Sequence, residues 1–290
     1  IKFSLDSITK KRLFTKSRFH MVKKHLYIVT GGLGKNVAFT SILKDLYEKH
    51  KSKICIEATF PIVFYNNPYV ASSNPLQCSP VSRIGQRDHY AQYETINGNE
   101  PYYSNWLKKD KHLITSFQEL NNLPVQESLP EIYWRADLES KLQDVISKIT
   151  PFIIVQFSGG PSNQEYNFGL LRDYKQGQNL INSIKQFRPD LNILVFGSDN
   201  LNYEQTLKMD FKLTEQYFIL SKYCMSFIGI DSALQHFASN HLINKRGLVL
   251  WGETSPQQFG YNKNINMISE TPHTVDINVN NILENFKQLI

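Results

Sequence analysis

Asp231, Ser232 and His236 are the residues whose types and spacing point most directly to chemistry. They follow a short apolar run, Phe227-Ile228-Gly229-Ile230. Such a run reads as a strand buried on both faces of a parallel sheet. Asp231 and Ser232 suit a helix N-cap. Leu234, Phe237 and Ala238 then fall at helical apolar spacing. The stretch predicts strand, sharp turn and helix, with Asp231, Ser232 and Ala233 at the turn. In an open α/β sheet, ligands bind beyond the carboxyl ends of the strands. A helix N-terminus there presents N–H groups and a positive dipole end, both suited to phosphate. His236 sits on the second turn and is placed to reach the same ligand. The plainer reading of these residues is an ordinary βα unit with a capping Asp and a buried His. A second apolar run, Leu248-Val249-Leu250-Trp251, ends in the loop Gly252-Glu253-Thr254-Ser255-Pro256. Thr254 and Ser255 would line the same crevice from this neighbouring strand.

Two further strand ends carry glycine-rich turns. Residues 26–30 are apolar and lead into Gly31-Gly32-Leu33-Gly34-Lys35-Asn36. Val37, Phe39, Ile42, Leu43 and Leu46 then give a helical face. The turn is not a phosphate-binding P-loop, because no Ser or Thr follows Lys35. Residues 152–157 repeat the plan and lead into Ser158-Gly159-Gly160-Pro161-Ser162. Backbone N–H groups of Ser158, Gly159 and Gly160 could hold a diphosphate, although a plain βα turn has the same sequence character. Between the two lies an amphipathic helix over 138–149, closed by Thr150-Pro151, which marks a hinge. The repeated strand–glycine turn–helix plan predicts an α/β protein of two Rossmann-like domains facing a central cleft. Residues 1–20 read as a basic N-terminal extension, 21–150 as the first domain and 151–290 as the second, with a terminal helix near its end.

Composition narrows the class. Of 290 residues, 32 are Lys or Arg and 26 are Asp or Glu, a formal net charge of +6. That balance suits phosphate-rich ligands or an anionic membrane face, and does not by itself indicate nucleic acid. No apolar run approaches the roughly 20 residues that span a bilayer. Cys55, Cys78 and Cys224 are far apart and show no metal-ligand spacing. Cys55 and Cys224 sit in apolar contexts, as buried thiols of a reducing compartment do. Residues 76–135 are rich in Tyr and Trp, with Arg87, Asp88 and His89 just before the aromatic run. Aromatic faces beside charged groups suit a sugar, and also a stacked base.

Asp-Ser-x-Leu-x-His-x-Ala, followed by an apolar strand and Trp-Gly-x-Thr-Ser-Pro, resembles the C-terminal signature of glycosyltransferase family 9. These are the ADP-heptose:lipopolysaccharide heptosyltransferases, with the GT-B fold. Ala233 stands where the family usually has Gly, and Trp251 where it usually has Phe. The opening Gly-x-x-Gly, the apolar helix after it, the next strand and Asn67-Pro68-Tyr69-Val70 are similar to the same family. The resemblance implies an inverting transfer of a sugar, such as a heptose, from a nucleotide-diphosphate donor. The acceptor would be a hydroxyl of a glycan or a lipid-linked glycan of the lipopolysaccharide type. It implies no metal and no cofactor beyond the nucleotide sugar, a cytoplasmic location, and peripheral contact with the inner face of a membrane. Asp231, Ser232, Ala233 and His236 would meet the donor, with Ser158, Gly159, Gly160, Thr254 and Ser255 around them.

One position departs from the family. Its Asp after Gly-x-x-Gly, taken as general base, is here Lys35. A lysine acts as base only if its pKa falls by several units. Three readings stand: another carboxylate acts, with Asp88 first and Glu94 second; Lys35 binds a phosphate of acceptor or donor; or the protein binds nucleotide sugar without turnover. Gly34, Asn36, Arg87 and His89 would lie on the acceptor side. A sugar transferase acting on modified nucleic-acid bases is the runner-up activity.

Overall fold

The computed structural model describes residues 24–73, 93–97, 111–159, 173–197, 203–209 and 214–290. Asp88, Arg87, His89, Gly160 and Cys78 lie outside them, as does the basic stretch 1–20. For Glu94 only the backbone is described.

Strands β1 (Lys24–Val29), β2 (Ile54–Ala58), β3 (Val70–Ser73) and β4 (Tyr93–Asn97) form a four-stranded sheet in the order β3-β2-β1-β4. Strands β5 (Phe152–Gln156), β6 (Asn192–Val195), β7 (Phe227–Ile230), β8 (Leu248–Trp251) and β9 (Ile265–Ile268) form a five-stranded sheet in the order β6-β5-β7-β8-β9. Every pairing is parallel. The reason is legible in the residues. Apolar residues run almost without interruption through β5 (Phe-Ile-Ile-Val-Gln), β7 (Phe-Ile-Gly-Ile) and β8 (Leu-Val-Leu-Trp), and every residue of those strands is buried, as a sheet covered on both faces requires.

Nine α-helices are described: α1 (Leu33–Phe39), α2 (Leu43–His50), α3 (Leu113–Leu120), α4 (Ala136–Ile149), α5 (Gly177–Phe187), α6 (Thr214–Tyr223), α7 (Ala233–Ala238), α8 (Pro256–Phe259) and α9 (Val279–Phe286). Helix α4 follows the expected pattern: Leu138, Leu142, Ile146 and Ile149 are its buried residues. The cis peptide Thr150–Pro151 separates it from β5. Among the described residues, no helix is long and apolar enough to cross a membrane. Cys55 and Cys224 are buried free thiols, as their contexts suggest.

Strand order locates two switch points. In the first sheet the chain steps outward from β1 to β2 and β3, then returns to β1's other side as β4. In the second it steps from β5 to β6, then returns to β5's other side as β7. Doubly wound sheets bind ligands where the order reverses, outside the carboxyl ends of the strands. Those ends are the Gly31–Gly34 turn after β1, Phe157–Gly159 after β5 and Asp231–Ser232 after β7.

One apolar cluster joins the halves. It includes Tyr27, Val29 and Phe39 of the first half and Ile154, Leu194, Phe237 and Trp251 of the second. A separate cluster lies on the other side of the second sheet, where Leu180, Ile181 and Ile184 of α5 meet Ile282 and Phe286 of α9. The terminal helix therefore packs within the second half. Ile282 and Phe286 find their burial against α5.

Polar contacts fasten the junction as well. The Arg135 backbone N–H donates to Glu215 Oε1 at 2.7 Å, and its Nε to Oε2 at 3.2 Å. Glu139 of α4 accepts from Lys222 Nζ at 2.7 Å, from Trp134 Nε1 at 2.8 Å and from the Tyr223 hydroxyl. Burial pushes the Glu139 carboxyl up, but the three donors outweigh it and hold the group down at about 2.

Candidate active site

The turn after β7 is built as its sequence implies, but it is capped differently. Ser232 stands at the N-cap of α7 with extended backbone, and its side chain makes no capping bond. Gln156, the last residue of β5, does that work. Its Oε1 accepts the Leu234 N–H at 3.1 Å, and its Nε2 donates to Ser232 Oγ at 2.8 Å and to the Ser158 carbonyl at 3.2 Å. One buried amide thus ties together the two strand ends flanking the second switch point. Asp231 Oδ1 accepts from Gln235 Nε2 at 2.8 Å, one turn along α7. With six residues, α7 has little macrodipole.

His236 is 4% exposed and lies at the junction. Its Nδ1 is 2.8 Å from the Tyr261 hydroxyl. The opposite edge of the ring lies against Gly34 of α1. A Cβ built on Gly34 would stand 2.8 Å from His236 Cδ2 and 3.3 Å from Nε2, so only glycine admits this approach. The two helices that leave the two switch points therefore meet through one imidazole and one glycine. Desolvation, then the neighbouring His112, pushes the His236 pKa down to about 3, and the ring is neutral. Desolvation, then the charge of Asp231, raises the Tyr261 phenol, which stays protonated.

Lys35 belongs to the helix that follows the same glycine turn. It is 8% exposed, and its chain folds back over Gly31, with Cδ 3.4 Å and Nζ 4.0 Å from where a Cβ of Gly31 would be. Burial brings its pKa down to about 8, so the ammonium form still dominates at neutral pH. Asn36, expected on the acceptor side, is fully buried and holds the turn. Its Nδ2 donates to the Gly32 carbonyl at 3.0 Å, and its Oδ1 accepts from the Phe60 N–H at 3.4 Å.

The remaining expected residues divide. Ser158 is buried beside Gln156 at the switch point. The Gly159 N–H is already taken by Asp173 Oδ1 at 3.0 Å. The Thr254 hydroxyl is buried with no hydrogen-bond partner among the described residues. Ser255 caps α8, accepting the Gln257 N–H at 3.1 Å. Gly252, in the same loop, is required by packing, since a Cβ there would fall 2.4 Å from the Pro272 carbonyl oxygen.

Three contributors were not singled out from the sequence: Gln156, Tyr261 and His112. Gln156 is the polar end of an otherwise apolar strand, a signal that could have been used. Tyr261 follows directly on the Trp-Gly-x-Thr-Ser-Pro loop and α8. His112 has no local signal. It caps α3, accepting the Ile114 N–H on Nδ1 at 3.2 Å, and its Nε2 donates to the Gly260 carbonyl at 2.9 Å. Among the described residues, no group of three or more His, Cys, Asp or Glu side chains could hold a metal ion.

No protein-family model matches the sequence, and no curated protein matches it. Solved structures do. A glycosyl transferase family 9 protein from Veillonella parvula DSM 2008 matches with a TM-score of 0.64 at 13% identity, covering 92% of this chain and 97% of that one. The E. coli heptosyltransferase WaaC, solved with ADP, matches with a TM-score of 0.60 at 10% identity, over 92% of this chain and 100% of that one. The dodecameric iron-containing heptosyltransferase TibC, solved with ADP-D-beta-D-heptose, gives 0.60 at 11% identity, over 93% and 78%. Identities this low speak for the fold, and the fold is a GT-B-like pair of parallel α/β sheets whose switch points meet at His236 and Gly34.

Proposed function

We propose that this chain is a glycosyltransferase that takes a nucleoside-diphosphate sugar at the junction of its two sheets. The observation that carries the reading is the placement of Asp231, Ser232 and His236 at the second switch point and of Lys35 at the first, with His236 packed on Gly34. The structural likeness to heptosyltransferases, one of them solved with ADP and one with ADP-heptose, supports it. A heptose is the favoured sugar, and a hydroxyl of a glycan or lipid-linked glycan the favoured acceptor. The reaction proposed is inverting and metal-independent, in the cytoplasm.

The residues divide the chemistry. As the bond from the anomeric carbon to the diphosphate breaks, negative charge grows on the leaving oxygen. Preorganised donors in a water-poor site stabilise such charge most strongly. Lys35 supplies a buried cation and His236 a neutral ring N–H. Asp231 would accept from sugar hydroxyls. The acceptor proton needs a carboxylate, because Lys35 is mostly protonated at neutral pH. Asp88 remains the first candidate. A second reading, nucleotide-sugar binding without turnover, is favoured by one observation: the cation stands where the resembling family carries its base.

The test is mass spectrometry of nucleotide sugars retained by the protein from a bacterial extract. The proposal expects one nucleoside-diphosphate sugar to be enriched, and its loss in Asp231→Asn. Retention of none, with folded protein, would overturn it. Retention without transfer to any glycan acceptor in a broad screen would favour the binding-only reading.

A further inference from the structure

The His236 imidazole has two faces with different neighbours. Nδ1 meets the Tyr261 hydroxyl at 2.8 Å. The Cδ2–Nε2 edge meets the Gly34 turn of the first half. The question is which nitrogen carries the proton, because only a protonated Nε2 can donate to an anion held there.

The Tyr261 hydroxyl decides it. If the phenol donates, Nδ1 is the acceptor and the hydrogen sits on Nε2. If Nδ1 donates instead, the phenol proton must find another acceptor. His236 is the one hydrogen-bond partner of that hydroxyl among the described residues. A buried phenol proton without an acceptor is strongly disfavoured. The first arrangement satisfies both groups and leaves Nε2–H for a ligand. Nε2 makes no hydrogen bond to a described residue and is not among the sealed, unpartnered atoms.

Tyr261 is itself fixed from the first half. His112 donates from Nε2 to the carbonyl of Gly260, the residue before Tyr261, and its ring stands edge-on to Tyr261 at 5.7 Å. Its own tautomer is set, because Nδ1 accepts the Ile114 N–H. The Tyr261 and His236 rings are nearly perpendicular, at 82°. A chain of contacts therefore runs from the start of α3 through Gly260 and Tyr261 to His236 and back to Gly34 of α1.

We propose that Tyr261 is a positioning residue: its hydroxyl holds His236 in the Nε2–H tautomer and aims that N–H at the junction, where it donates to a diphosphate oxygen. The ligand in this statement rests on the donor-site reading above, whereas the tautomer does not.

Long-range proton–nitrogen correlation NMR of the imidazoles reads the tautomer without any ligand. The chain has 8 histidines, and the His236 signals are assigned by their loss in His236→Gln. The expected result is a protonated Nε2 and an acceptor Nδ1 in the unmodified protein. Tyr261→Phe, which keeps the ring, should shift His236 toward a mixture of tautomers and weaken ADP binding about tenfold, the worth of one well-placed hydrogen bond to a charged group. A protonated Nδ1 in the unmodified protein would overturn the proposal, and that measurement requires no variant at the position. An unchanged tautomer in Tyr261→Phe would overturn it too, as would a changed tautomer with ADP bound equally well. Failure of the unmodified protein to bind any of ADP, UDP, GDP and CDP, with the tautomer as stated, would instead remove the donor reading and leave the Tyr261–His236 assignment standing.

Discussion

Gly34→Ala probes the meeting of the two halves with a single methyl group. That carbon would stand 2.8 Å from His236 Cδ2, 3.3 Å from Nε2 and 3.5 Å from the Ala233 Cα. Separations under 3.0 Å do not persist between such atoms, so the imidazole or a helix must move by several tenths of an ångström. The ring cannot swing away freely, because Tyr261 holds its other side at 2.8 Å. Overpacking of this kind costs about 1–3 kcal/mol. Alanine in place of glycine in a helix returns up to about 1 kcal/mol. The net expectation is a loss of about 0–3 kcal/mol in stability, read by urea denaturation. Binding should suffer as well as folding, since the displaced edge is the one proposed to face the diphosphate. A tenfold loss in ADP affinity by calorimetry, about 1.4 kcal/mol, is expected. Adding Tyr261→Phe frees the ring to yield, so the double variant should lose less than the sum of the two. A Gly34→Ala protein that is more stable than its parent and binds ADP equally well would refute the packing on which the site is built.

Gln156→Leu keeps the volume but leaves the Leu234 N–H and its other partners without their amide, and should cost about 2 kcal/mol in denaturant titration. Lys35 titrates near 8 in the folded chain, below its unfolded value. ADP affinity should therefore fall as pH rises through 8, and Lys35→Gln should flatten that dependence. The unfolded chain still binds this proton above pH 8, so stability relative to Lys35→Gln should rise between pH 8 and 10. Glu139 is held near 2, below its unfolded value, so it stabilises the fold above the ordinary glutamate range and loses that contribution as pH falls toward 2. Glu139→Gln should be less stable at neutral pH and show a shallower loss of stability between pH 4.5 and 2.

The strand ends were legible because each is an abrupt change of chemistry. Four buried apolar residues stop at Asp231, and the run from Phe152 stops at Gln156. The glycine turn after β1 was equally plain, and Lys35 stood out against the resembling family. The division of labour within the turns was not legible. Ser232 has the composition of a capping residue, but a glutamine on another strand does the capping, a contact set by strand pairing and not by local sequence. Asn36 reads as a polar site residue, yet its amide is consumed by the turn that carries it. The His112–Gly260 contact joins residues 148 positions apart, beyond any local pattern. Helix α9 shows the remaining limit. Its amphipathic face is evident in the chain, but the choice between α5 and the domain junction depends on which apolar surface lies open to it.

In the proposed site His236 meets the diphosphate of the donor and Asp231 its sugar. The most direct measurement is isothermal titration calorimetry with ADP, UDP, GDP and CDP on the full chain, and on Asp231→Asn and His236→Gln with their folds verified by circular dichroism. Saturable one-to-one binding of one of these nucleotides is expected, weakened at least about tenfold in His236→Gln. For the matching nucleotide sugar, Asp231→Asn should lose affinity relative to the parent. Binding that is unaltered in both variants, or no binding of any of the four, would contradict this site.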